Sequence, residues 1–222
     1  MINKEIYYSI KNACEAKGVT LVAVSKTKPP EVIIELYKLG HRDFGENYVQ
    51  ELIDKHEQLP KDIRWHFIGH LQTNKVKYIA PFVHLVHGVD SLKLLKEINK
   101  QAEKHQRTID VLLQIHIAQE ETKFGLDEQE LNDILESDLL KFNQLNSVRI
   151  TGLMGMASFT ENQQQVRKEF QFLKSLFDKN SEKINSKESF TTLSMGMSGD
   201  YDIAMEEGST MVRIGSLIFG ER

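Results

Sequence analysis

The run LVAVSKTKPPEVI, residues 21–33, puts Lys26 at the end of an apolar stretch and just ahead of a proline pair. Lysine is almost never fully buried without a partner or a task. An amine in this place is either already in solvent or a nucleophile, and a nucleophilic amine must be neutral. With an ordinary pKa of about 10.4, roughly one lysine in a few thousand is neutral at pH 7; burial and nearby cations raise that fraction by disfavouring the charged form. Lys28 competes for the role, but it precedes Pro29 and reads as a rim or solvent contact. Near the other end of the chain, SMGMSGD (194–200) and RIGS (213–216) contain two Gly-Ser turns. Ser198, Gly199, Gly215 and Ser216 offer backbone N–H and hydroxyl donors to an anion such as phosphate, and Arg213 adds a permanent cation.

The elements that must bring these residues together are legible as short Val-, Ile- and Leu-rich runs alternating with segments of helical periodicity. The spacing predicts a strand at 20–25 and a helix over 30–39, with Pro30 suited to a helix start. It then predicts a strand near RDFG and a helix at 47–57, a strand RWHFIG and a helix at 73–80, and a strand FVHLVHG and a helix at 91–104. Further strands are expected at 109–118, 148–157, TTLSMG and MVRIGS, with helices after Leu126, along Val166, Phe170, Leu173 and Phe177, and at 200–207. Eight strand–helix units in one chain, behind an additional N-terminal helix, predict a single (β/α)8 TIM barrel over residues 1–222. In such a barrel function lies at the carboxyl ends of the strands. Lys26, FGEN, IGHLQTNK, MGMAS, SMGMSGD and RIGS all fall there.

Composition narrows the function classes. A net charge of −4, with no basic stripe interleaved with aromatics, argues against nucleic acid. No segment approaches a membrane span or a signal peptide, so a cytoplasmic protein with no membrane partner is expected. A lone cysteine, Cys14, excludes an intramolecular disulfide and a cysteine-ligated metal cluster. His41, His56, His84, His87 and His105 show no spacing that argues for a metal, and Glu206 with Glu207 reads as a solvated helix end.

A phosphate cradle, a strand-end lysine and an arginine in one barrel mouth point to pyridoxal 5'-phosphate (PLP), whose aldehyde condenses with a lysine amine. The sequence resembles the pyridoxal phosphate homeostasis protein family, single-domain relatives of the alanine racemase amino-terminal barrel. The strings that carry the resemblance span nearly the whole chain: AVSKTKP, FGENYVQE, WHFIGHLQTNK, VDS, GLMGMA and LSMGMSGDYDIAMEEGSTMVRIGSLIFGER. One departure is on the fifth strand, where Gln114, Ile115 and His116 stand in place of QVN.

The resemblance implies that Lys26 forms the internal aldimine and that Ser198, Gly199, Gly215 and Ser216 hold the phosphate. It implies that Arg213 faces the pyridine nitrogen, that Asn47 lies beside the ring and that Met154 and Met195 wall the cofactor, with His66 and His70 behind them. No residue is assigned as catalytic. Related racemases carry a second, β-rich domain, whereas this chain ends at IFGER, and a two-base racemase needs an acid/base on each face of the substrate carbon; Tyr48 and Tyr201 are no better placed for that than for packing. The expectation is therefore a monomeric PLP-binding protein of vitamin B6 and amino-acid balance, with PLP-dependent apo-enzymes as the partners to test. The alternative is a low-activity PLP-dependent amino-acid racemase using Lys26 as base.

Overall fold

The computed structural model describes residues 2–119, 124–137, 144–183 and 190–221. Its parallel strands are β1 (Thr20–Val24), β2 (Asp43–Glu46), β3 (Arg64–Phe67), β4 (Leu85–Val89), β5 (Ile109–Ile115), β6 (Val148–Gly155), β7 (Thr192–Ser194) and β8 (Met211–Ile214). They pair in chain order, and β8 returns to β1 with Thr20 opposite Met211. The fold is a (β/α)8 barrel with helix Lys4–Ala16 added ahead of β1.

Alternation along each strand sorts the apolar residues into two layers. Val22, Leu85, Leu112, Met154 and Met211 fill the lumen. Their strand neighbours, among them Leu21, Ala23, Phe44, Trp65, Phe67, Val111 and Leu113, form the larger layer beneath the helices. Local signals start several helices: the Asn3 side chain accepts from the N–H of Ile6 at 3.1 Å, Ser91 accepts from Leu94 at 3.3 Å, and Asp127 with Glu130 makes a reciprocal capping box.

The ladders end earlier than the apolar runs suggest. β6 stops at Gly155 and β8 at Ile214, because the chain leaves the sheet at the barrel mouth. FVHLVHG contributes strand only from Leu85, and ahead of it Phe82 stacks face to face on His56, ring centroids 3.8 Å apart. The expected helix at 73–80 is a 3-10 turn, Thr73–Lys75, followed by helix Val76–Ile79. Among the described residues no helix is long and apolar enough to cross a membrane, and no group of three or more His, Cys, Asp or Glu is placed to hold a metal.

Candidate functional site

A cavity of about 440 Å³ opens at the carboxyl ends of the strands. Its floor continues the lumen: Val24 and Lys26 follow Val22 in the inward register of β1, Asn47 follows Gly45, Ile68 follows His66, Met156 follows Met154 and Gly215 follows Arg213.

Lys26 is carried on a tight turn closed by the N–H of Lys28 donating to the Ser25 carbonyl at 3.0 Å. Thr27 takes φ 65°, a left-handed conformation that is an outlier for a β-branched residue. Such strain costs about 1–3 kcal/mol and persists where the surroundings over-determine it. Here they do. The Thr27 N–H donates to Glu51 Oε1 at 2.5 Å, and below it Lys55 Nζ donates to the Ser25 carbonyl at 2.8 Å and to Glu46 Oε1 and Glu51 Oε1 at 2.7 Å each. Ser25 Oγ adds a bond to Glu46 Oε1 at 2.6 Å. Glu46 and Lys55 are buried, and burial pushes the Glu46 carboxyl up to about 7 against the opposing pull of Lys55. Lys28 does reach the rim: its Nζ donates to the carbonyls of Gly220 and Glu221 at 3.1 and 3.0 Å.

The opposite wall is built from the two Gly-Ser turns. The Gly215 N–H donates to Ser198 Oγ at 3.3 Å, tying them together, and Asp200 Oδ1 accepts from the Met197 N–H at 2.6 Å. Each turn leads into a short helix, Tyr201–Glu206 or Ser216–Phe219, whose first N–H groups have no intrahelical acceptor. A Cβ on Gly215 would stand 3.1 Å from the Val24 carbonyl oxygen, so this close approach suits glycine. A Cβ on Gly199 would meet nothing, and glycine there is not a steric requirement. Arg213 is buried between the turns and the lumen. Its Nη1 donates to Ser194 Oγ at 2.6 Å and its Nη2 to the Gly155 carbonyl at 3.1 Å. Burial lowers its pKa to about 10, which leaves it a cation at neutral pH. Asn47 Oδ1 is buried without a hydrogen-bond partner.

Lys26, Asn47, Ser198, Gly199, Arg213, Gly215 and Ser216 thus border one cavity. Met154 and Met195 do not. Met154 lies one inward step deeper, packed in the lumen, and Met195 has the opposite parity on β7 and faces the helices. Met156 and Met197 line the cavity instead, and counting in twos from Met154 finds the first of them. His70 sits outside the cavity, half exposed, 3.3 Å from Asp90 and stacked on Phe124. His66 is buried in the lumen and does not touch the cavity, but it bonds to His87, a residue the spacing did not single out. His116 does not line the cavity either. The clamp of Ser25, Glu46, Glu51 and Lys55 was also missed; its signal is the outward parity of Ser25 and Glu46, polar residues where the barrel needs apolar ones.

Fold and site define a barrel of the alanine racemase type: the family model described as alanine racemase, N-terminal domain, matches residues 5–222. An alanine racemase of Clostridium difficile, at 15% identity, shares the fold with a TM-score of 0.74 over 99% of this chain and 57% of its own. The chain belongs to the pyridoxal phosphate homeostasis protein family. It is 44% identical over 219 residues to the member from Aquifex aeolicus, covering 96% of this chain and 93% of that one, and 43% identical to the human member over 91% and 76%. A structure of PipY from Synechococcus elongatus, solved with PLP bound, superposes with a TM-score of 0.84 at 32% identity, over 97% of this chain and 99% of that one.

Proposed function

We propose that this chain binds PLP covalently through Lys26 and serves PLP homeostasis, holding or supplying the cofactor. The observation that carries the reading is the convergence of Lys26, Arg213 and the tied Ser198–Gly215 turns on one cavity of about 440 Å³. Three features fit the group: a cradle whose approach at Gly215 a Cβ would hinder, a buried cation, and the unpartnered amide oxygen of Asn47. PLP supplies an aldehyde that a lysine amine attacks.

The protein's own part is to bind and orient. The strained turn anchored by Lys55 and Glu51 carries Lys26 at the cavity wall. The Gly-Ser turns would hold the phosphate, Arg213 the ring nitrogen and Asn47 the neighbouring ring edge. Because a guanidinium only donates, Arg213 favours an unprotonated ring nitrogen, which makes the ring a weaker electron sink. This, together with relatives described as homeostasis proteins, supports a role without robust turnover. The PLP bound in the Synechococcus elongatus PipY structure supports the same cofactor here.

The test is a titration of the purified protein with PLP followed by visible absorbance, and then α-proton exchange of an amino-acid panel in heavy water. Stoichiometric PLP uptake with exchange no faster than that of free PLP is expected. Rapid exchange abolished by Lys26→Ala would instead establish the racemase alternative.

A further inference from the structure

A file of hydrogen bonds crosses the barrel lumen from the cavity to its opposite end. Arg213 Nη1 donates to Ser194 Oγ at 2.6 Å, and Ser194 Oγ lies 3.1 Å from His87 Nδ1. His87 Nε2 lies 3.0 Å from His66 Nδ1, and His66 Nε2 lies 3.1 Å from Asp43 Oδ1. Asp43 holds Arg64 in a two-pronged pair, Nε to Oδ1 at 2.7 Å and Nη2 to Oδ2 at 2.5 Å. These residues come from β8, β7, β4, β3 and β2, and from Arg213 to Asp43 every one is buried. The Arg64 side chain, at 48% exposure, meets solvent where β2 and β3 begin.

Counting hydrogens gives the file a single direction. Arg213 has only donors, so Ser194 accepts from it. The single hydroxyl hydrogen of Ser194 then goes to its other partner, His87 Nδ1, since a buried hydroxyl left without an acceptor is costly. A bare Nδ1 puts the His87 hydrogen on Nε2, where it donates to His66 Nδ1. His66 in turn carries its hydrogen on Nε2 and donates to the Asp43 carboxylate. Each link uses one hydrogen. An extra proton on either imidazole would set two hydrogens against each other or turn the Ser194 hydroxyl away from its partner.

The surroundings favour this arrangement. Burial drives the His87 pKa well below its ordinary value, and the Arg213 cation pushes it the same way. Burial alone would raise the Asp43 carboxyl, but hydrogen bonds from Arg64 and His66 hold it well below the usual carboxylate range. The His84 ring meets His66 edge-on at 5.4 Å between centroids.

We propose that Ser194, His87, His66 and Asp43 are positioning residues for Arg213, forming a one-directional relay that fixes its guanidinium against the cavity and anchors it to the Arg64–Asp43 pair at the far end of the barrel. With Nη1 held by Ser194 and Nη2 by Gly155, the plane of the guanidinium is set where Arg213 lines the cavity, and its remaining N–H groups are the donors it has left for a ligand there. That the atom they meet is the PLP ring nitrogen rests on the proposed function. The relay itself does not.

Imidazole ¹⁵N spectra of the full-length, ligand-free protein test it directly, with His66 and His87 assigned from single variants. Both rings should be neutral at about pH 7 with hydrogen on Nε2. A hydrogen on Nδ1 of either ring, or a cationic ring, would overturn the relay. In Ser194→Ala, His87 should lose its fixed tautomer, and PLP should bind about tenfold more weakly, the scale of one charge-assisted bond, while borohydride still attaches it to Lys26. Ser194→Thr, which restores the hydroxyl, should recover both. An unchanged His87 tautomer and unchanged PLP affinity in Ser194→Ala would sink the positioning role. Should the wild-type protein take up no PLP, the proposed function falls, while the ligand-free spectra still decide the relay.

Discussion

Lys55 Nζ sits 2.7 Å from Glu46 Oε1, and both side chains are shut away from solvent, with the same ammonium reaching the Ser25 carbonyl one residue before Lys26. Removing Lys55 leaves the buried Glu46 carboxyl, already pushed up to about 7, and the Ser25 carbonyl without their donor, at about 1–3 kcal/mol for each unsatisfied group. Lys55→Met is therefore expected to lose stability on that scale in urea denaturation. The double variant Glu46→Gln with Lys55→Met should recover part of the loss. A single variant within about 1 kcal/mol of wild type would mean that the pair does not anchor the turn.

His41 gives the protein an acid sensitivity of defined sign. Its Nε2–H donates to the Asp43 carbonyl at 2.8 Å and its Nδ1 lies 3.4 Å from the Tyr7 hydroxyl. Burial lowers its pKa from 6.5 to about 4, against the raising effect of the Asp43 carbonyl. The unfolded chain thus binds the proton more readily, so the stability from neutral His41 is complete above about pH 6.5 and is lost as pH falls toward 4. At pH 5 the loss amounts to about 2 kcal/mol. Urea midpoints at pH 7.5 and pH 5 should draw closer together in His41→Gln, which keeps a donor but does not titrate. Equal spacing in both proteins would contradict the assignment.

Gly69 holds the β3 exit against the residue that carries the cavity amide. A Cβ there would stand 2.2 Å from the Asn47 carbonyl oxygen, and the obstacle is backbone. Gly69→Ala should cost about 1–3 kcal/mol and lower PLP affinity by displacing Asn47. Gly199→Ala, whose Cβ would meet nothing, should stay within about 0.5 kcal/mol of wild type in thermal unfolding.

The two methionines on the inward face of β6 and its extension separate stability from binding. Met154 is packed in the lumen, so Met154→Ala should cost about 2–5 kcal/mol. Met156 lines the cavity, and Met156→Ala should weaken PLP binding more than it weakens the fold. Calorimetric unfolding beside a PLP titration checks both, and a reversed ranking would place the cavity floor one layer deeper.

Barrel, strand order and cavity mouth were legible because alternating apolar periods and strand-end glycines are local signals. Lys26 and the Gly-Ser turns could be named from sequence for that reason. Strand parity was not carried through residue by residue, and so Met154 and Met195 were placed at a cavity that Met156 and Met197 line. The lumen relay was not legible at all. Asp43, His66, His87 and Ser194 lie on four strands far apart in sequence, and barrel closure alone brings them into line. The same holds for Ser25 and Lys55, which meet only once the helix after β2 folds back beneath the β1 turn.

The most direct test of the central claim is borohydride reduction of the PLP-loaded protein followed by peptide mapping. A pyridoxyl group on Lys26 and none on Lys28 is the predicted result, with both the adduct and the visible absorption band lost in Lys26→Ala. A pyridoxyl group on a different lysine, or an unchanged band in Lys26→Ala, would contradict it.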